Sequence, residues 1–106
     1  MCGGRKYGDR TTLFRTLDEI SPTEVVHGGA SGADRIAGYW AELRGVPCTV
    51  YPAEWGRYGR KAGPIRNLHM LKDSQPDMVV AFPGGRGTAH MIATARSHGV
   101  PVKVVP

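Results

Sequence analysis

Twice within 106 residues, a short apolar run ends in a cluster of glycines that opens into a segment of helical periodicity. Glu24-Val25-Val26-His27 leads into Gly28-Gly29-Ala30-Ser31-Gly32-Ala33-Asp34, and Met78-Val79-Val80-Ala81 leads into Phe82-Pro83-Gly84-Gly85-Arg86-Gly87-Thr88. A strand that passes to a helix through glycine can turn sharply and bring its backbone close to a ligand. Two further apolar runs, Pro47–Tyr51 and Val102–Val105, extend the alternation of strand and helix. Parallel strands need crossover helices between them, so this order predicts an α/β domain with a parallel sheet covered on both faces. Ligands of such sheets lie beyond the carboxyl ends of the strands, where both glycine clusters fall.

The helices are read from apolar spacing and end signals. Asp9 or Thr11 caps a first helix through Leu13, Phe14, Leu17 and Ile20, which Ser21-Pro22 ends. A second runs through Ile36, Ala37, Trp40 and Leu43 to Gly45. A third opens around Pro64 with Ile65, Leu68 and Leu71 inward. A fourth, capped by Thr88, carries Met91, Ile92 and Ala95. Ala53–Gly63 reads as a long loop that is glycine-rich, basic and aromatic, and loops of that length in small domains are often functional. Without a linker or repeat, residues 1–106 form a single domain.

The formal charge of +5 favours an anionic partner, a nucleotide or a nucleic acid. Cys2 and Cys48 stand far apart and the four histidines lack zinc spacing, so neither a metal nor a cofactor is expected. With no apolar stretch near the ~20 residues that span a bilayer and no export leader, the expected setting is cytoplasmic, with no membrane partner.

Within the glycine clusters, Gly28, Gly29, Ala30 and Gly32, and Pro83, Gly84, Gly85, Arg86, Gly87 and Thr88, are candidates to hold phosphate through backbone N–H groups. The spacing is neither the dinucleotide fingerprint nor the P-loop, which needs a lysine after its last glycine. Asp34 fits either helix capping or acceptance of a ribose hydroxyl or base N–H. Arg66 and Asn67 offer a forked cation and an amide near a helix start, and Trp55 and Tyr58 offer faces for stacking or for packing the loop. His27, at a strand end beside glycines, is the histidine best placed to touch a ligand.

Five motifs in order resemble one family. Cys2-Gly3-Gly4-Arg5, His27–Asp34, Ala53-Glu54-Trp55, Ala62-Gly63-Pro64-Ile65-Arg66-Asn67 and Phe82–Thr88 are similar to the YspA-type, cpYpsA-related family of the SLOG superfamily. That superfamily includes LOG phosphoribohydrolases and the single-stranded DNA-binding DprA proteins. The resemblance implies a three-layer Rossmann-like parallel sheet and a nucleotide-related ligand, with NAD or ADP-ribose derivatives among the candidates. It adds Gly4 and Arg5 to the ligand-binding set, makes Asp34 and Arg66 the candidate catalytic residues, and suggests a homodimer by analogy.

Two departures stand out. Relatives open with a hydrophobic strand before Cys-Gly-Gly-Arg, whereas only Met1 precedes Cys2, so the usual first central strand is expected to be missing. The phosphoribohydrolases carry two glutamates after Pro-Gly-Gly-x-Gly-Thr, where this chain has His90 and Met91, and methionine cannot move a proton. The expected function is therefore binding of a nucleotide or nucleotide-derived small molecule. Two alternatives stay open: a nucleotide N-glycosidase or phosphohydrolase, and a single-stranded nucleic-acid binder working through Trp55, Tyr58 and the basic Arg57–Lys61 segment.

Overall fold

The computed structural model describes residues 1–106. Asp9 caps α1 (Arg10–Ile20), its carboxylate accepting from the Thr12 N–H, and Ser21 closes the helix in the left-handed region. β1 (Val25–His27) leads through the first glycine cluster to α2 (Ala33–Arg44), which Gly45 ends before β2 (Cys48–Val50). Next come α3 (Trp55–Tyr58), a 3-10 turn (Gly59–Lys61) and α4 (Ala62–Ser74), then β3 (Val79–Ala81), α5 (Arg86–Ser97) and β4 (Val102–Val104). None of the helices is long and apolar enough to cross a membrane.

The strands form two parallel pairs. β1 pairs with β2, Val26 opposite Thr49, and β3 pairs with β4, Val80 opposite Lys103. Side chains alternate along them between two apolar clusters, as the period of a strand requires. Val25, Val80 and Phe82 pack with Leu13 and Leu17 of α1 and with Ala37, Trp40 and Ala41 of α2. Val79 and Ala81 pack with Met70 and Leu71 of α4 and with Met91 and Ala95 of α5.

What joins the pairs is the start of the chain. Cys2 bridges Ala81 in parallel, its N–H donating to the Val80 carbonyl at 2.9 Å while its own carbonyl accepts from the Phe82 N–H at 2.9 Å. On the other side the terminal amine of Met1 donates to the Val26 carbonyl at 2.7 Å. Met1 and Cys2 thus link the two strand pairs through backbone hydrogen bonds. Met1, Val25, Val26, Met78 and Val80 line a cavity of about 260 Å³. Burial pushes the Met1 amine below its usual range and raises the Cys2 thiol to about 11.

Two sequence expectations need correction. The Ala53–Gly63 segment is largely helical, despite its glycines, because α3 and the 3-10 turn run directly into α4. On α4, Ile65 is exposed and Leu68 only half-buried, although Leu71 faces inward as expected. The buried stripe is Gly63, Asn67, Met70 and Leu71, a helical spacing that puts Ile65 on the opposite side.

Cys2→Pro is expected to destabilise the domain by ~2–3 kcal/mol in urea denaturation, since it leaves the Val80 carbonyl without its donor. Cys2→Ala, which keeps the N–H, is expected to cost only about 1 kcal/mol. Equal losses in the two variants would mean that the thiol, not the bridge, matters.

Candidate functional site

Three turns meet at the carboxyl ends of β1, β3 and the Met1–Cys2 stub, and Gly4 connects them. Its N–H donates to the Pro83 carbonyl at 2.9 Å, and its carbonyl accepts from the Ala33 N–H at 3.1 Å. Gly32 lies against that carbonyl with φ of +75°, so a side chain there would suffer both strain and collision. At Gly84, a Cβ would come within 2.6 Å of the Gly4 nitrogen and strike the Thr88 hydroxyl. Gly32, Pro83 and Gly84 therefore serve packing between backbones and do not line the cavity beside them.

The first glycine turn is held from within. One Asp34 carboxylate oxygen accepts from the Gly28 N–H at 3.1 Å and the Ala30 N–H at 3.3 Å. His27 Nδ1 accepts from the Gly29 N–H at 2.9 Å. Arg66 Nη1 donates to the Gly28 carbonyl at 2.6 Å and to the Tyr51 carbonyl at 3.2 Å. Three successive amides are thus already taken, which corrects the expectation that the Gly28-Gly29 turn offers free N–H groups to phosphate. His27 is buried, sits under the turn and does not line the cavity. Burial lowers its pKa, opposed by the nearby Asp34 charge.

The second glycine turn is open. Gly85, not Thr88, is the N-cap of α5, and no side chain caps the helix. The first intrahelical bond runs from the Ala89 N–H to the Gly85 carbonyl at 3.0 Å, so the amides of Arg86, Gly87 and Thr88 lack intrahelical acceptors. The first turn carries no acidic residue. Thr88 is the third helical residue, its side chain buried beside Gly84.

Both turns border one cavity of about 660 Å³. Of the sequence candidates, Gly4, Arg5, Gly28, Ala30, Asp34 and Trp55 line it, together with Arg66, Asn67, Gly85, Arg86, Gly87 and Thr88. Gly29 faces a smaller adjoining recess of about 300 Å³, shared with Arg5, Trp55 and Arg66. Trp55 is 47% exposed, with the Arg5 guanidinium 5.2 Å from its ring centre, so it stands at the rim rather than packed away. Tyr58 lies outside this cavity, its ring covered by Arg57.

Two further lining residues stand outside the phosphate-holding set, although the sequence reading places Arg60 in the basic Arg57–Lys61 segment and notes His90 after the second glycine turn. Arg60 comes from the 3-10 turn, and His90 lies one helical turn into α5. Arg5, Arg60, Arg66 and Arg86 face the cavity against a single carboxylate, Asp34, whose oxygen is already bonded to two amides. Arg66 keeps its Nη2 free, because Nε donates to Asn67 Oδ1 at 3.1 Å and Nη1 is engaged on carbonyls. Burial lowers its pKa, but guanidinium stays charged in proteins. Met91 is buried in the core beneath α5 and does not reach the cavity.

A mixed α/β domain with parallel strand pairs and glycine turns gathered at the strand ends has a counterpart among known families. Residues 1–58 match the family model described as YspA, cpYpsA-related SLOG family, and the chain belongs to that family. It is 41% identical over 112 residues to the Gene 61 protein of Mycobacterium phage D29, a match covering 94% of this chain and 89% of that protein.

Since the folded state holds His27 neutral with a pKa below 6.5, its contribution to stability is complete above that value. As pH falls below about 6.5, the unfolded chain takes up a proton that the folded state refuses, and stability declines until the folded pKa is passed. Urea midpoints measured from pH 8 to 5 are expected to fall more steeply for the wild type than for His27→Gln. Parallel slopes would contradict the assignment.

Proposed function

We propose that this domain binds a nucleotide or nucleotide-derived ligand, with its phosphate seated on the free amides at the start of α5. One observation carries the reading: the uncapped helix start and four arginines border a single cavity that holds only one carboxylate, Asp34, one oxygen of which is bonded to backbone amides. Helix N-termini favour anions through their free N–H groups and their dipole. Arg86 and the free Nη2 of Arg66 supply charge, and the exposed Trp55 face offers a base a surface to stack on. Family membership supports a nucleotide-related role. ADP-ribose and NAD derivatives fit the cavity's charge and its adjoining recess.

Binding is favoured over hydrolysis because Met91, which stands where the phosphoribohydrolases carry a glutamate, is buried in the core and does not border the cavity. We further infer that the two strand pairs are halves of one Rossmann-like, three-layer arrangement. Support comes from the Met1–Cys2 bridge between them and from the apolar clusters on their two faces. The unpaired Cys2 and Cys48 suit a reducing, cytoplasmic setting.

Isothermal titration with AMP, ADP-ribose and NAD is expected to detect binding that weakens as ionic strength rises. Arg86→Ala, at an exposed position, is expected to reduce affinity about tenfold without lowering thermal stability. A folded protein that binds none of the three at millimolar concentration defeats the proposal. Tighter binding of a single-stranded oligonucleotide, uncompeted by mononucleotide, would transfer it to the Trp55–Lys61 segment.

A further inference from the structure

Across the floor of the cavity runs a chain of three side chains whose donor and acceptor roles are fixed by chemistry. Arg66 Nε can only donate, so the Asn67 atom facing it at 3.1 Å is the amide oxygen. The other end of Asn67 is therefore its NH2 group, which donates to the Gly87 carbonyl at 3.3 Å and meets His90 Nδ1 at 3.2 Å. An amide NH2 cannot accept, so His90 Nδ1 is the acceptor and the ring proton sits on Nε2. Asn67 is only 5% exposed, which leaves this orientation little freedom. His90 borders the cavity with Nε2–H as its unspent donor.

We propose that His90 is a specificity-determining residue that donates through Nε2–H to a sugar oxygen of the bound ligand. His90 follows Arg86 by four residues on α5, on the same helix face and about 6 Å further along the axis. An anion on the first amides thus places the atoms attached to it, not the anion itself, beside the imidazole. The ligand class is a pentose phosphate ester, and this deepening rests on the binding reading given above.

Two measurements test it. Long-range proton–nitrogen correlation on the ligand-free protein, with His90 assigned by its loss in His90→Gln, is expected to show the Nε2–H tautomer. Asn67→Asp, whose carboxylate accepts where the amide donated, is expected to shift the ring toward Nδ1–H. Titration with ribose 5-phosphate and with inorganic phosphate is the second measurement. His90→Phe is expected to weaken ribose 5-phosphate about tenfold and leave inorganic phosphate unchanged, with partial recovery in His90→Gln, whose amide still donates.

An Nδ1–H tautomer in the wild type, or equal loss of both probes in His90→Phe, overturns this inference while leaving the phosphate seat intact. Failure of the wild type to bind either probe overturns the seat and this inference together.

Discussion

The close approach of backbones around Gly4 is the constraint on which the site depends. One residue accepts from the start of α2 and donates to the turn before α5, so the three turns are fixed relative to one another without side chains between them. That arrangement is possible only where the facing positions, Gly32 and Gly84, have no Cβ to intrude. It also removes two backbone groups from the list of those needing water, which matters because buried unpaired amides are costly. The Met1–Cys2 stub anchors this unit to both strand pairs. Sheet joining and site formation are therefore one structural event.

From that junction the two glycine turns take different parts. The first is closed: Asp34, His27 and Arg66 occupy its amides and a carbonyl, so its rigidity comes from a partly buried polar network. Such a network is stable only when every member is satisfied. The second turn leaves its helix start uncapped and unpaired. Free N–H dipoles and arginine charge then act in a recess partly shielded from solvent, where electrostatic attraction exceeds its strength in open water. Rigidity and openness are separated between the turns.

Much of this was legible in the sequence because it rests on local rules. The alternation of apolar runs with helical segments located the four strands, and Asp9 and Gly45 marked helix ends where they occur. What escaped was not carried by apolar periodicity. The Gly28–Ala30 amides are taken by His27 and Asp34, two to six residues away, through a turn geometry that residue types alone do not specify. The face of α4 was misjudged because its buried stripe includes Gly63 and Asn67, neither of which counts as apolar in a periodicity reading. His90 acquires its role from Asn67, 23 residues earlier in the chain.

The side chains bordering the cavity also bear on what chemistry it supports. General acid–base catalysis needs a group within reach of substrate that is free to exchange a proton. One oxygen of Asp34 accepts two backbone N–H bonds, which ties that carboxylate to the first turn. Arg66 stays charged and holds two carbonyls, while Met91 is sealed in the core. The imidazole of His90 also borders the cavity, and its other nitrogen is tied to an amide that can neither take nor relay a proton. A histidine backed by a carboxylate can pass charge to a reacting centre and be stabilised as the cation. Backed by an amide donor, the ring accepts at Nδ1 and keeps Nε2–H as its donor. The wall thus offers a hydrogen-bond donor whose direction is set by the Asn67 amide.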